Sequence, residues 1–226
     1  MIRLAATLAV AVLSAGACTI GEQPPDPSQA LTKAASLLAT VRSVNATIKF
    51  TKAPISFKGF ALVSANTAIQ LPESNSDTRY TVKQGDISIG IQVVISDATY
   101  LRLPFSNFQK LTPAQASEVP DISKLFKGLP AVIPNGTSQQ YVTTESVNGR
   151  DAYKITTVYS AEQVHGLLDQ LNSSGPVNAT IWVDKSSSQI LKAVLDGPFG
   201  DEGKEANVEV VITQTNGTVS ISSPTP

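Results

Sequence analysis

Cysteine, histidine, methionine and tryptophan each occur only once in this chain of 226 residues. The single cysteine, Cys18, rules out an internal disulfide, so the core must stabilise the fold without a covalent cross-link. The single histidine, His165, leaves no zinc site of the usual kind. Its place between Val164 and Leu167 in a capped helical pattern favours a structural position over a catalytic base. With no Gly-x-Ser-x-Gly elbow either, the sequence predicts no enzyme, no catalytic residue, no metal and no cofactor.

Charged residues are also scarce, at 15% of the chain against about 25% in an average protein. Lys and Arg number 17 and Asp and Glu number 18, which gives a formal net charge of −1. This balance does not favour nucleic acid or an acidic surface as a partner. The acidic residues Asp184, Asp196, Asp201 and Glu202 have no spacing that favours an acid–base pair over solvated loop ends.

The N-terminal hydrophobic run, residues 4–13, is too short to cross a membrane as a helix, which takes about 20 residues. It follows Arg3 and precedes a stretch of small residues. A short basic start, an apolar core and small residues are typical of a secretory signal. The sequence therefore predicts a signal peptide over residues 1–17.

Cys18 follows the small pair Gly16-Ala17, an arrangement that resembles a bacterial lipobox. In a lipobox the thiol is acylated and becomes the first residue after cleavage. The resemblance implies a lipid anchor at Cys18 and a place on the extracytoplasmic side of the cell membrane. The prolines that follow, without apolar periodicity, predict a short tether over residues 18–26. The alternative is an ordinary secreted protein whose signal happens to contain a cysteine.

The rest of the chain is dominated by alternating patterns that favour strands. The clearest lies at 87–96, where Ile and Val alternate with polar residues and glycine. Short turns join these strands, as in an antiparallel meander. Capping residues and helical spacing predict helices at 27–41, 121–133 and 160–171, and Asn216-Gly217 predicts a hairpin joining 208–212 to 219–221. This order, with a long loop over 105–120 and no βαβ rhythm, predicts a single α+β domain from residue 27 to 226 with a large antiparallel sheet.

The apolar face of such a sheet must be covered, and the three modest helices look insufficient for so wide a sheet. Two interpretations remain open on pattern alone. The apolar residues form a tight core, or they surround a cavity for an apolar ligand.

Several segments of the second half resemble the LppX/LprG (LppX/LprAFG) family of actinobacterial envelope lipoproteins. They are Gly128-Leu129-Pro130, Val147-Asn148-Gly149-Arg150 with Tyr153-Lys154-Ile155, Val177 to Val183, Leu191 to Leu195, and Val208 to Pro224. The resemblance implies an antiparallel β half-barrel with helices on its concave face around an apolar cavity. It also implies that the chain holds long-chain acylated lipids or glycolipids and carries them across the cell envelope. A membrane transporter is a candidate partner, and a monomer is expected.

Alternation places the apolar side chains of each strand on the face towards the helices. The predicted cavity residues on the sheet are Ile48, Phe50, Phe60, Leu62, Tyr80, Val82, Ile89, Ile91 and Val93. Those on the helices are Leu125, Phe126, Leu129, Val164 and Leu168. The alternative function is an extracytoplasmic interaction or sensor lipoprotein that uses the half-barrel as a protein-docking surface.

Overall fold

The structure, a computed structural model, describes residues 24–57, 59–167 and 171–225. All the strands in these residues belong to one antiparallel sheet. The strands are β1 (Ser43–Lys52), β2 (Ser56–Phe57), β3 (Phe60–Gln70), β4 (Asn75–Gln84), β5 (Ile87–Ile95), β6 (Thr99–Arg102), β7 (Gln109–Lys110), β8 (Thr137–Val147), β9 (Arg150–Tyr159), β10 (Val177–Asp184), β11 (Ile190–Gly197) and β12 (Ala206–Thr215).

Their order is β7-β6-β5-β4-β3-β1-β12-β11-β10-β9-β8, and β2 pairs with β3. Each half of the chain forms a meander, and the first strand of one meander pairs with the last strand of the other, with Ile48 of β1 opposite Val210 of β12. The outermost strands, β7 and β8, do not pair with each other. The sheet is therefore an open half-barrel, which confirms the predicted fold class.

The helices in the described residues are α1 (Pro27–Leu38), α2 (Pro113–Ala116), α3 (Ile122–Val132) and α4 (Ala161–His165). The predicted caps are present at three of them. Asp26 accepts a hydrogen bond from the Gln29 amide at 2.9 Å, Asp121 accepts one from the Ser123 amide at 3.0 Å, and α4 has a complete capping box. These caps satisfy amide groups that have no partner within the helix.

Helix α3 crosses the concave face of the sheet and is held at both ends by a tyrosine hydroxyl. Tyr80 of β4 donates to the carbonyl of Pro120 at 2.8 Å, and Tyr159 of β9 donates to the carbonyl of Ile133 at 2.9 Å. On a flat sheet the six strand spacings from β4 to β9 would measure about 29 Å. Residues 120–133 span only about 20 Å as a helix, so the curl of the sheet brings the two tyrosines towards the helix ends.

The hairpin predicted at Asn216-Gly217 is wrong, because β12 has no free edge. It pairs with β1 on one side and with β11 on the other, so residues 219–221 cannot add to it. Asn216 instead turns the chain with a positive φ of 55°, and its side-chain oxygen accepts from the amide of Arg42 at 2.8 Å. The C-terminal residues then run past the strand ends, where Gln70 donates to the carbonyl of Val219 at 2.9 Å.

Three smaller differences concern element bounds. The apolar pattern predicts one strand that begins at Phe60 and Leu62 and a second, weaker one from Ala68 to Leu71, whereas the stretch from Phe60 to Gln70 is a single strand with a bulge. The predicted loop over 105–120 contains β7 and α2. Helix α1 ends at Leu38 and α4 ends at His165, where Gly166 caps it; residues 168–170 of the predicted third helix lie outside the described residues.

Candidate apolar cavity

The concave side of the sheet encloses a cavity of about 50 Å³ between helices α3 and α4 and strands β9 to β12. Its walls are entirely apolar. The helical side contributes Leu38, Leu125, Phe126, Leu129, Val132, Ile133, Val164, Leu167 and Leu171, and the strands contribute Tyr159, Ile181, Ile190, Ala193, Leu195, Val208, Val210 and Ile212. Such a space suits hydrocarbon and offers no partner to a charged group.

The cavity floor belongs to a single row of inward-facing residues that crosses eight strands. Pairing register places Ile155, Ile181, Ala193, Val210, Ile48, Ala65, Tyr80 and Ile91 side by side from β9 to β5. Ile181, Ala193 and Val210 line the cavity. Ala65 is fully buried and does not line it. The residues of this row therefore border open space in the second half of the sheet and tightly packed side chains in the first half.

Helix α3 and the segment after α4 approach each other closely above this floor. A Cβ atom on Gly128 would lie 3.0 Å from Leu167 Cδ2 and 4.0 Å from Leu167 Cα. Gly128 thus permits a contact that a larger residue would push apart. Pro130, two residues later, removes one helical amide donor, so the roof of the cavity is not a fully bonded helix.

The two tyrosines that hold α3 place hydroxyl groups in the buried core, and Tyr159 also lines the cavity. Burial raises the pKa of Tyr80, with a smaller contribution from Asp121, and burial also raises the pKa of Tyr159. Both hydroxyls therefore stay neutral and serve as hydrogen-bond donors to backbone carbonyls. Through these bonds they position the roof of the cavity over the sheet.

The structure divides the predicted cavity residues into two groups. The helix residues Leu125, Phe126, Leu129 and Val164 line the cavity, and Leu168 lies outside the described residues. The nine sheet residues do not line it. Ile48, Phe50, Leu62, Tyr80, Val82, Ile91 and Val93 are buried in one cluster, against which Phe60 and Ile89 pack. Phe126 and Val164 belong to the same cluster, so the two groups are continuous, and contact of all these residues with a ligand stays a prediction.

The strand residues that line the cavity were not among the predicted ones. They come from β9 to β12, where the same apolar alternation occurs at 177–183, 191–195 and 208–212. That alternation identifies the inward face. It does not reveal above which strands the roof leaves space, because this depends on where α3 crosses.

Each of the acidic residues considered above has a hydrogen-bond or ion-pair partner of its own. Asp196 pairs with Lys52, Asp201 accepts from Ser56, and Glu202 pairs with Lys204 at 2.7 Å. His165 is exposed on α4. Within the described residues no three His, Cys, Asp or Glu side chains come together as a metal site would require.

Asp184 is the one buried carboxylate among them, and its role is structural. Its side chain is 2% exposed and pairs with Arg150 at 2.8 Å. It also accepts hydrogen bonds from the amides of Ser186 and Ser187 at 3.0 and 2.6 Å. Burial raises the pKa of Asp184, but the bonds from Ser186, Ser187 and Arg150 outweigh it and hold the pKa well below its usual value. The ionised carboxylate fixes the turn between β10 and β11.

Asp184→Asn is expected to lower the free energy of unfolding at pH 7 by about 2 kcal/mol, because the buried hydrogen-bond donors lose a charged acceptor. The pKa of the Asp184 carboxyl is lower in the folded chain than in the unfolded chain. The stabilisation by the ionised carboxylate is therefore present above about pH 4 and is lost as the pH falls. Urea unfolding between pH 7 and pH 3 measures it. The difference between the variant and the parent should shrink at the acid end. Asp86→Asn, in the exposed β4–β5 turn, is the control and should change little; a pH-independent loss for Asp184→Asn would contradict the assignment.

Among the described residues, no helix is both long and apolar enough to cross a membrane. Comparison with known proteins gives a more specific result. The family model for the LppX_LprAFG lipoproteins matches residues 26–223. Lipoarabinomannan carrier protein LprG of Mycobacterium leprae is 22% identical over 153 residues, which cover 64% of this chain and 63% of the relative. Its namesake in Mycolicibacterium smegmatis is 27% identical over 132 residues, covering 50% and 56%. The matches therefore span less than two thirds of the length of these relatives.

Two solved structures share the fold. LprF from Mycobacterium bovis superposes with a TM-score of 0.72 at 16% identity, covering 90% of this chain and all of that one. LppX from Mycobacterium tuberculosis superposes with a TM-score of 0.61 at 20% identity, covering 88% of this chain and all of that one. At these identities the likeness shows the architecture alone.

Proposed function

The chain belongs to the LppX/LprAFG lipoprotein family, and we propose that it is a membrane-anchored carrier that holds the acyl chains of a lipid or glycolipid and moves them across the cell envelope. The family match over residues 26–223 supports a lipoprotein related to lipid carriers. The observation that carries the proposal is the wholly apolar cavity under α3 and α4. Apolar walls bind hydrocarbon at about 0.8 kcal/mol per buried CH₂ group.

At about 50 Å³ the cavity is smaller than the roughly 300 Å³ at which ligand sites begin. Loading an acyl chain therefore requires α3 and α4 to move away from the floor. The contacts that hold this roof are mostly apolar, and apolar side chains can repack around hydrocarbon at little cost. The tyrosine bonds at Pro120 and Ile133 would keep the ends of α3 attached while its middle lifts. The structure then corresponds to the closed form of the carrier.

Organic extraction of the purified chain tests the proposal. The Cys18→Ser chain, produced in a host that makes envelope glycolipids, should release lipid in a near-stoichiometric amount after extensive washing. The extracted species should share long acyl chains and differ in head group, because the cavity offers no charge to select one. A chain that folds and carries no lipid would contradict the carrier and favour the alternative, an extracytoplasmic interaction or sensor lipoprotein.

Membrane attachment depends on a different residue, Cys18, which lies outside the described residues. We expect the parent chain to fractionate with membranes and its mature form to begin at an acylated Cys18. Cys18→Ser should lack the acyl mass, whether or not its hydrophobic residues 4–13 keep it with the membrane. Mass spectrometry of both forms measures this, and a parent chain with an unmodified Cys18 would disprove the lipobox.

A further inference from the structure

Large apolar side chains are exposed at one end of the half-barrel, away from the cavity. Phe105 is fully exposed, Ile87 is 67% exposed and Leu103 is 45% exposed. Strand β6 runs antiparallel to β5 with Arg102 opposite Gln92, so residues 103–106 continue beside the start of β5. Ile87, Leu103 and Phe105 thus lie at the same end of the sheet, and we call them the apolar tip.

The backbone of the apolar tip is strained at Phe105. Phe105 has a positive φ of 61°, which is unfavourable for a bulky side chain. The turn around it is closed by Ser106, whose hydroxyl donates to the Leu103 carbonyl at 2.9 Å and accepts from the Leu103 amide at 3.1 Å. A strained conformation that presents an aromatic ring to solvent points to a use for that ring.

Cations lie beside the Leu103 and Phe105 part of the tip. Leu103 and Phe105 line one open groove with Arg79 and Arg102, and Lys83 is exposed on the same strand as Arg79. The acidic residues near them are Asp86 of the β4–β5 turn and Asp77, which accepts a hydrogen bond from Gln92 of the groove at 2.7 Å. Exposed apolar and aromatic side chains beside Arg and Lys are a combination that attracts a protein to an anionic lipid surface.

The tip also connects to the core through a graded apolar row on β5. Ile87 is mostly exposed and Ile89 is partly buried, whereas Ile91 and Val93 are 6% and 1% exposed. We propose that the apolar tip inserts into the interface of an anionic bilayer, with Arg79, Lys83 and Arg102 contacting lipid phosphates. This docking surface is distinct from the cavity and does not depend on whether the chain carries lipid.

A fluorescent label at the tip tests the insertion. Phe105→Cys in the full Cys18→Ser chain provides a single thiol for an environment-sensitive dye. Val142→Cys is the matched control, because Val142 is also an exposed apolar residue, at 52%, but lies on the outermost strand β8 at the other side of the sheet. A site-specific readout is needed because the hydrophobic residues 4–13 can bind vesicles by themselves.

On phosphatidylcholine vesicles that contain phosphatidylglycerol, the label at 105 should shift to the blue and brighten, and the label at 142 should not change. Arg79→Gln and Lys83→Gln should each weaken the response at 105 by about fivefold. An unchanged label at 105, or an equal response at both sites, would overturn the proposal. A blue shift without vesicles that grows with protein concentration would also overturn it, since the tip would then be a protein interface. Lipid extracted from the same chain reports on the carrier function separately.

Discussion

A disulfide between positions 128 and 167 is expected to trap the chain in a form that cannot load lipid. The two positions are already close in the parent chain, since a Cβ on Gly128 would lie 4.0 Å from Leu167 Cα. Gly128→Cys and Leu167→Cys in the Cys18→Ser background would join α3 to the segment after α4. With its roof closed, the cavity, which measures about 50 Å³ in the parent chain, would stay too small for an acyl chain even with Leu167 shortened to Cys.

The measurement is lipid uptake from vesicles by the delipidated double variant, oxidised and then reduced. We expect almost no uptake in the oxidised form and near-stoichiometric uptake after reduction, with each single variant behaving like the reduced form. Asn45→Cys with Gln214→Cys is the matched control. These residues are paired on β1 and β12, with side chains 2.9 Å apart and exposed, so their disulfide leaves the roof free. Equal uptake by the oxidised and reduced roof disulfide would show that lipid does not enter between α3 and the sheet.

Local sequence patterns determine many of the strands, turns and helix ends of this fold, so these features could be predicted from the sequence. The alternation at 87–96 corresponds to β5, and the turn at Asn148-Gly149 joins β8 to β9 with positive φ at both residues. Asp26, Asp121 and Ser160 begin helices as their short polar side chains favour. Each of these features depends on residues within a few positions of one another.

The pairing of β1 with β12 could not be read in the same way. Val44 lies opposite Thr215, and no spacing in the sequence links residues so far apart. Without that pairing, Asn216-Gly217 between two apolar stretches has the pattern of a hairpin turn. The hairpin is excluded only because both edges of β12 are already paired.

The position of the cavity depends on tertiary structure as well. Both halves of the sheet have an inward apolar face, and the sequence pattern does not indicate which half binds a ligand. The position of the cavity is determined by the path of α3, which Tyr80 and Tyr159 fix at either end. It also depends on the close contact between Gly128 and Leu167. The predicted helix residues line the cavity because they belong to this roof, whereas the predicted strand residues lie in the half that the core packs tightly.

Two alanines in the same cross-sheet row provide the sharpest test of that division. Ala193 lies between Ile181 and Val210 and lines the cavity. Ala65 lies between Ile48 and Tyr80 and is 0% exposed in the packed core. Both face the same side of the sheet, so an identical substitution compares open space with filled space.

Ala193→Phe is expected to lose clearly less stability than Ala65→Phe and to lose its co-purifying lipid, because the ring occupies the space that hydrocarbon would take. Ala65→Phe is expected to lower the free energy of unfolding by about 3 kcal/mol or more, since the added volume must displace packed side chains. Urea unfolding and organic extraction of both variants measure the two effects. If Ala193→Phe is destabilised as strongly as Ala65→Phe, the space beside Ala193 is ordinary core. If it folds and keeps its full complement of lipid, the acyl chains lie elsewhere, and the packed half around Ala65 and Ile91 becomes the region that must open.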